Sequence, residues 1–389
     1  MGSALVGGMA LRNRTVVDQR RSAVKAVKEG ERVTDVARRY EVARQTLYEW
    51  MRREDELGAE GLEDRSRRPH HSPRQTPAGI EQRLIAERKR WGFGAKKILR
   101  RLIDEDPSVE WPPRSTVDAI FKRAGLAAPR TRLRRPFAPA PAPPTFAGTE
   151  AGEVMTGDFK GQFRLRNGRL CYPFTVADPV SRYLYACEAL EGTTFEPTWD
   201  VLKRVFRSYG MPKALHTDNG IPFGTSGHGR FSSLSVKLMK YGIQPLYSRP
   251  GHPQDNGRHE RMHRTLKERA TIPPAADMAA QQLVFDEFQH TFNHERPHEA
   301  LGLDRPIAHH RCSSRPFPDE EPEPVYESYF EIKRVDGYGR MSWGGKQVFF
   351  SEAFAHQTIA FEPIDFTRWN VHFSSFVIGT FDSSVRRFR

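Results

Sequence analysis

The sequence has little cysteine and no long apolar run. Only three cysteines, at positions 171, 187 and 312, occur among 389 residues, which are too few and too scattered for a disulfide framework or a zinc finger. No apolar run approaches the roughly 18 residues of a transmembrane helix, so we expect no membrane partner. The opening stretch MGSALVGGMALRNR has no basic residue ahead of its short apolar run and is a poor signal peptide. These absences favour a protein of a reducing cytoplasm.

Basic residues outnumber acidic ones in this chain. Lys and Arg total 61 against 48 Asp and Glu, which gives a formal net charge of +13. This balance favours a polyanionic partner, most often nucleic acid. A merely soluble basic protein would show the same balance, so the charge needs support from motifs. The length suits two to four domains.

Residues 15–62 are predicted to form a helix-turn-helix domain of three helices. Gly30 ends the first helix, Thr34 is expected to cap the second, and the third begins near Ala43. In this motif the last helix enters the major groove of DNA. The expected DNA contacts at the exposed start of this helix are Arg44, Gln45, Thr46 and Tyr48. An ordinary three-helix bundle is the alternative, and the basic side chains of the third helix argue against it.

A second helical domain is predicted at residues 78–128. Its helices are expected at 78–90, 95–104 and 114–124. Ser115 is expected to cap the last helix, and Gly125 ends it. We interpret this domain as a second helix-turn-helix unit of the winged type, with Arg114 and Ser115 as DNA contacts. Linkers are predicted on either side, basic at 63–77 and rich in Pro and Ala at 129–148.

Residues 149–312 are predicted to form a mixed sheet with helices packed on it. The predicted order is three strands, a helix, a strand and two helices. Asp158 lies on the first strand, Asp218 ends the fourth, and Glu260 lies in the first turns of the last helix. If the first and fourth strands are neighbours, the two aspartates meet and the helix can add Glu260. Converging hard oxygen ligands bind Mg²⁺, and two ions about 4 Å apart promote phosphodiester chemistry.

The helix that carries Glu260 also carries basic side chains on the same face. Arg264 and Lys267 lie within about 40° of Glu260 around the helix axis, where they could hold DNA phosphates. Met262 and Leu266 point elsewhere and are predicted to lie in the core. The alternative is an ordinary solvated pair of Glu260 and Arg264.

A further aspartate follows a strand but is interpreted differently. Asp178 precedes Pro179 in a turn and lies near Arg182. We therefore interpret Asp178 as a turn residue rather than a metal ligand.

Several motifs resemble one known family. HTDNGIPF and HPQDNGRHERMHRTLKE resemble the integrase-type catalytic core of bacterial insertion-sequence transposases, which are related to retroviral integrases. DFKGQF, VADPVSRYLYA and TFNHERPHEALGLDRPI resemble other strands and the closing helix of that core. The front helical units and the terminal β region fit the same group, so the resemblance covers most of the chain. It implies an RNase-H-like fold and a metal-binding triad of Asp158, Asp218 and Glu260. The positions that match DNA contacts of the family are Asn256, Arg264 and Lys267.

The sequence departs from this family at one place. The stretch between Asp218 and Glu260 is longer than is typical, and Gly224–Ser233, rich in Gly and Ser, accounts for the extra length as a surface loop. Beyond the core, residues 313–324 are predicted to be an acidic, Pro-rich linker. Residues 325–389 are predicted to form about five short strands in a small β-barrel, which the resemblance makes SH3-like.

Together these features predict a multidomain DNA transposase. It has all-α helix-turn-helix units at the N-terminus, a central α/β RNase-H-like core and a small C-terminal β-barrel. It is expected to bind the inverted-repeat ends of its element, cleave DNA with two Mg²⁺ ions (or Mn²⁺) and join the 3′-hydroxyl ends to target DNA. We expect at least a dimer on paired ends, in the nucleoid of a bacterial cytoplasm. The alternatives are a DNA-binding regulator with an inactive core and a structure-selective nuclease.

Overall fold

The structure is a computed structural model that describes residues 15–65, 75–127, 148–225, 231–249 and 257–388. The chain forms two compact units, residues 1–76 and 77–389. Asn256, residues 66–74 and 129–147, and the middle of the Gly224–Ser233 insertion lie outside the described residues. Among the helices of the described part of the chain, none is long and apolar enough to cross a membrane.

The first unit contains three helices around a small apolar core. They are α1 (Val16–Lys28), α2 (Val33–Arg39) and α3 (Arg44–Leu57), with a 3₁₀ turn at Gly58–Leu62. Their fully buried side chains include Val24, Val36, Leu47 and Leu62. The helical helix-turn-helix region predicted from the sequence is confirmed. The prediction that Thr34 caps α2 is wrong, because Asp35 and Val36 donate their N–H groups to the carbonyl of Arg32, one turn earlier.

The second unit begins with three more helices. They are α4 (Ala78–Trp91), α5 (Ala95–Glu105) and α6 (Arg114–Arg123). The predicted cap at Ser115 is wrong: Thr116 and Val117 donate to the carbonyl of Pro113, so α6 begins before Ser115 and that residue lies in its first turn. Apolar side chains from all three helices, including Leu84, Ile98 and Val117, form the core of this region.

Basic residues of α5 face the neighbouring part of the second unit. Arg101 pairs with Glu295, Arg100 lies 3.3 Å from Asp304, and Lys96 lies 3.6 Å from Glu299. These contacts fix α5 to residues 295–304 of the same unit. The exposed first turn of α6 is not part of this set of ion pairs.

A mixed sheet forms the centre of the second unit. Its strands are β1 (Val154–Phe159), β2 (Phe163–Arg164), β3 (Leu170–Ala177), β4 (Leu184–Leu190), β5 (Ala214–Thr217) and β6 (Gln244–Tyr247). β3 pairs with β4, β1 and the short β2, all antiparallel. β1 pairs with β5, and β5 with β6, both parallel. The predicted mixed sheet is confirmed, and its first and fourth predicted strands, β1 and β5, are neighbours.

Helices pack on this sheet through two apolar clusters. They are α7 (Phe195–Tyr209), α8 (Ser233–Lys240), α9 (Gly257–Ala270), α10 (Met278–His290) and the short α11 (Pro306–His309). α7 and α8 pack with Phe174 and Leu215 in one cluster, whereas α9 and α10 pack with Cys171 and Cys187 in the other. Because neighbouring positions of β3 contribute to different clusters, α7 and α8 cover one face of the sheet and α9 and α10 the other.

The C-terminal region is antiparallel β structure. Its strands are β7 (Glu331–Arg334), β8 (Arg340–Trp343), β9 (Lys346–Phe349), β10 (Thr358–Pro363), β11 (Arg368–Phe373), β12 (Phe376–Asp382) and β13 (Arg387–Phe388). Five of them form a sheet in the order β13-β12-β11-β10-β7, and β8 and β9 form a hairpin. Val236 and Met239 of α8 pack into the same apolar cluster as these strands. The predicted β region is present, and its closure into a barrel stays a prediction.

Candidate active site

The parallel pairing of β1 and β5 brings two aspartates to the same end of the sheet. Met155 lies opposite Leu215 and Thr156 opposite His216. Continuing this register by two positions places Asp158, still within β1, opposite Asp218, the first residue after β5. In the sequence this proximity was conditional on the two strands being neighbours, and the pairing of β1 with β5 meets that condition.

The turn after β5 sets the direction of the Asp218 carboxylate. Gly220 donates its backbone N–H to Asp218 Oδ1 at 3.1 Å. A Cβ atom at Gly220 would lie 3.2 Å from Asp218 Oδ2, so a larger residue would crowd the carboxylate. Asn219 donates its side-chain amide to the carbonyl of Ser248, just beyond β6, at 2.7 Å. The Asn-Gly turn therefore holds Asp218 against the end of two neighbouring strands.

Glu260 is presented by the first turns of α9. The buried side of α9 packs on the sheet and includes Met262 and Leu266, as predicted. Glu260, Arg264 and Lys267 are all exposed on the helix. The helix thus has an apolar side that anchors it and a charged side that faces solvent, with Glu260 near its N-terminus.

The three carboxylates influence one another electrostatically. The pKa of Asp158 is raised to about 7, first by burial, then by the negative charge of Asp218 and, more weakly, of Glu260. The side chain of Asp158 is 15% exposed. A partly dehydrated carboxylate among like charges is unfavourable unless a cation lies nearby. These oxygen donors are those that hard divalent cations such as Mg²⁺ prefer, so the residues fit such an ion.

Two buried histidines of α9 lie beside Asp158, and the sequence prediction missed both. His259 and His263 are 3% and 6% exposed. The Thr175 hydroxyl lies 2.7 Å from Nε2 of each ring, and the Thr156 hydroxyl lies 3.0 Å from Nδ1 of His259. One signal was present in the sequence: positions 259, 262, 263 and 266 have the spacing of a single buried helix face.

Burial determines the charge of these two histidines. It lowers the pKa of His263 to about 3 and that of His259 well below its usual value. Both rings are therefore neutral at physiological pH. His263 Nδ1 lies 3.8 Å from Asp158 Oδ2, and Asp158, His259 and His263 each offer a ligand atom within 4.8 Å of the others.

Asp178 has the environment of a structural residue. It is 1% exposed. Its carboxylate accepts hydrogen bonds from the backbone N–H groups of Gly152, Val180 and Ser181 and from the Tyr185 hydroxyl. These four donors account for the carboxylate fully and agree with its interpretation as a turn residue.

The predicted DNA contacts lie on several elements. Arg44, Gln45 and Tyr48 are exposed and Thr46 is half-buried at the start of α3. Arg114 and Ser115 are exposed in the first turn of α6, where Arg114 lies 3.5 Å from Asp118. Asn256 lies outside the described residues. All of these DNA contacts stay predictions.

Comparisons with known proteins agree with this organisation. Residues 148–253 and 241–306 each match a model described as an integrase core domain. Residues 19–70 match a model described as a helix-turn-helix domain.

Solved structures similar to this chain include three from retroviruses. A chain of the simian T-cell lymphotropic virus intasome, in complex with the PP2A regulatory subunit B56 gamma, is 15% identical, covers 75% of this chain and 97% of that chain, and has a TM-score of 0.37. The HTLV-2 integrase catalytic core domain in complex with magnesium is 14% identical and has a TM-score of 0.34. The match covers 42% of this chain and 99% of that chain. The BIV integrase catalytic core domain is 19% identical and has a TM-score of 0.30. The match covers 40% of this chain and 92% of that chain.

Proposed function

We propose that this transposase- and integrase-like protein, with a helix-turn-helix domain and an integrase core, is the DNA transposase of a bacterial insertion sequence. It binds the inverted-repeat ends of its element, hydrolyses a phosphodiester at each end and joins the freed 3′-hydroxyl to target DNA. Two ends must meet before joining, so the active form on DNA is at least a dimer. Target DNA is the second substrate.

The observation that carries this proposal is the convergence of the three carboxylates. Asp158 and Asp218 meet through strand pairing, and Glu260 is close enough to contribute to the raised pKa of Asp158. Such a group, at the ends of two neighbouring strands and the start of a helix, matches the donor set for Mg²⁺, with Mn²⁺ as a substitute.

Each reaction is an in-line substitution at phosphorus. In the first, a water oxygen forms a bond to phosphorus, the bond to the 3′-oxygen breaks, and that oxygen leaves with a proton as a hydroxyl. In the second, this hydroxyl attacks a phosphodiester of the target strand and displaces its 3′-oxygen. Asp158, Asp218 and Glu260 would hold the divalent ions, which activate the attacking oxygen and stabilise the leaving one. No covalent enzyme intermediate is needed.

Basic side chains beside Glu260 complete the proposed site. Arg264 and Lys267 are exposed on the same side of α9 as Glu260. Their charges suit the phosphates next to the scissile bond. The residues of the chain thereby position DNA, while water or the 3′-hydroxyl supplies the nucleophile.

The DNA that flanks the gene provides the direct test. If inverted repeats bracketed by short direct repeats are found, a linear DNA bearing them should be cut at its ends and joined to a second DNA in the presence of the full-length protein and Mg²⁺. Specific binding without cleavage would support a regulator with an inactive core instead. Cleavage of branched DNA of any sequence, without joining, would support a structure-selective nuclease.

The first prediction concerns end recognition by α3. Arg44→Ala in the full-length protein should weaken binding to end DNA by about 1–3 kcal/mol if Arg44 contacts a base edge. Binding to scrambled DNA should change much less. Lys25→Ala removes an exposed charge from α1 and is the matched control. Gel-shift titrations measure both, and equal losses on end and scrambled DNA would exclude base recognition by Arg44.

The second prediction concerns Arg264 and Lys267. Replacing both with Ala should reduce the slope of log affinity against log salt by about 1.8, because each phosphate contact contributes about 0.9. Cleavage of bound DNA should also become slower, while all three carboxylates remain. Arg204→Ala with Arg207→Ala on α7 removes the same charge from another helix and is the control. If the residues are only solvated partners of nearby acids, the slope stays at its wild-type value.

A further inference from the structure

We propose that His263 is a nitrogen ligand of the cation held by Asp158. The inference rests on the proposed function, since it adds one residue to the metal site proposed there. It makes the site a mixed one, with an imidazole nitrogen beside the carboxylate oxygens, and the imidazole comes from the same helix as Glu260.

The hydrogen bonds of the Thr175 hydroxyl locate the proton of the His263 ring. The hydroxyl has one proton to donate and two lone pairs to accept with. Its three partners are the carbonyl oxygen of Asp158 at 3.0 Å and Nε2 of His259 and His263, each at 2.7 Å. The carbonyl can only accept, so the hydroxyl donates to it, and His263 donates its Nε2–H to the hydroxyl oxygen.

The tautomer of His263 leaves its other ring nitrogen without a proton. A neutral imidazole carries one proton, and His263 places it on Nε2. Nδ1 is therefore a lone pair, and it lies 3.8 Å from Asp158 Oδ2. At this separation the two atoms make no hydrogen bond with each other, whether or not the carboxyl carries a proton. A positive species between them is what would turn this contact into an attraction.

The distance between His263 Nδ1 and Asp158 Oδ2 fits two ligands of one cation. Two ligand atoms that each lie about 2.1 Å from a shared cation are between about 3.0 and 4.2 Å apart, from right-angled to opposed. The separation of 3.8 Å falls within that span. His263 Nδ1 and Asp158 Oδ2 are thus spaced as ligands of one ion.

His259 offers a contrast within the same helix. Both of its ring nitrogens lie within hydrogen-bond distance of a hydroxyl: Nδ1 lies 3.0 Å from the hydroxyl of Thr156, and Nε2 lies 2.7 Å from the hydroxyl of Thr175. The Thr156 hydroxyl also donates to the carbonyl of Ala177 at 3.0 Å, so His259 belongs to a chain of hydrogen bonds that ends on the sheet. His259 therefore supports the packing of α9 on the sheet and serves as the matched control for His263.

The test measures Mn²⁺ binding by the full-length protein without DNA. Pulsed electron paramagnetic resonance of bound Mn²⁺ should show the ¹⁴N coupling of a directly bound imidazole in the wild type. The coupling should be lost in His263→Gln, whose amide reaches the position of Nε2 but leaves that of Nδ1 empty. It should persist in His259→Gln. Absence of ¹⁴N coupling in the wild type, or its persistence in His263→Gln, would overturn the proposal.

Affinities provide a second measurement. Loss of even an outer partner of a metal ligand typically weakens binding 10–100-fold, so the Kd for Mn²⁺ should rise at least about tenfold in His263→Gln. His263→Asn places an oxygen near the position of Nδ1 and should keep Mg²⁺ binding while losing the nitrogen signal, because Mg²⁺ prefers oxygen. An unchanged Kd for Mn²⁺ in His263→Gln would contradict the assignment.

Failure of this inference can be told apart from failure of the proposed function. Asp218→Asn and Glu260→Gln should weaken Mn²⁺ binding whether or not His263 is a ligand. If they do so and His263→Gln does not, only the role of His263 is wrong. If they bind Mn²⁺ like the wild type, the proposed carboxylate site itself is wrong.

Discussion

Asp158→Asn, Asp218→Asn and Glu260→Gln are each expected to abolish end cleavage and strand transfer while end binding stays near the wild-type level. Each substitution removes a negative charge from the cation site but keeps the shape of the side chain. The helix-turn-helix residues that are expected to recognise DNA lie on α3 and α6, on other elements of the chain. Cleavage and joining of labelled end DNA, measured with gel shifts on the same preparations, separate the two functions.

A matched control for this set is Asp178→Asn. Asp178 is a buried aspartate of the same core, but its partners are backbone N–H groups and a tyrosine hydroxyl. Any activity it loses should be in proportion to the fraction of folded protein. Near wild-type cleavage by Asp158→Asn, Asp218→Asn or Glu260→Gln would remove that residue from the proposed site.

Asp158→Asn is also expected to stabilise the metal-free protein at neutral and alkaline pH. The pKa of Asp158 is about 7 in the folded protein, against an ordinary value of 3.8. Below pH 4 the group is protonated in both states and has no effect. As the pH rises from 4 to 7 the folded state retains a proton that the unfolded state has lost, so wild-type stability falls, and the loss is complete above 7. At about 1.4 kcal/mol for each pKa unit the variant gains on the order of 4 kcal/mol at pH 8.

Urea unfolding at pH 5 and pH 8 measures this difference. The extra free energy of unfolding of Asp158→Asn over the wild type should grow with pH. Mg²⁺ should stabilise the wild type more than the variant, because a ligand that binds the folded state raises its stability. Asp178→Asn should instead lower the free energy of unfolding by about 2 kcal/mol, because it leaves backbone donors without an acceptor. A destabilised Asp158→Asn at pH 8 would contradict the electrostatic account.

Much of the fold could be predicted because local patterns determine it. Gly125 and the prolines before α6 bound a helix whose position the sequence predicts to within a residue. The strand that carries Asp158 and the one that ends at Asp218 are likewise bounded by turn residues. Their adjacency was a hypothesis until the β1–β5 register appeared, because strand pairing depends on contacts between distant parts of the chain.

Other features depended on tertiary structure. β6, Gln244–Tyr247, was not predicted, because four residues that include a proline have no clear alternation, and pairing with β5 is what makes them a strand. His259 and His263 were missed because histidines on a basic helix look solvated in sequence. Their burial depends on two threonines of neighbouring strands, Thr156 and Thr175, which supply hydroxyl partners inside the protein.

The register between β1 and β5 has a further consequence for how the chain folds. Val154 pairs with Ala214, far along the chain, and α9 with Glu260 follows later still. Contacts between such distant residues form late, because a large loop must close before they can form. The helices α1 to α3 need only local contacts and fold early. A chain interrupted before α9 is therefore expected to occupy the ends of its element without cutting them, so truncated translation products would act as inhibitors of the full-length protein.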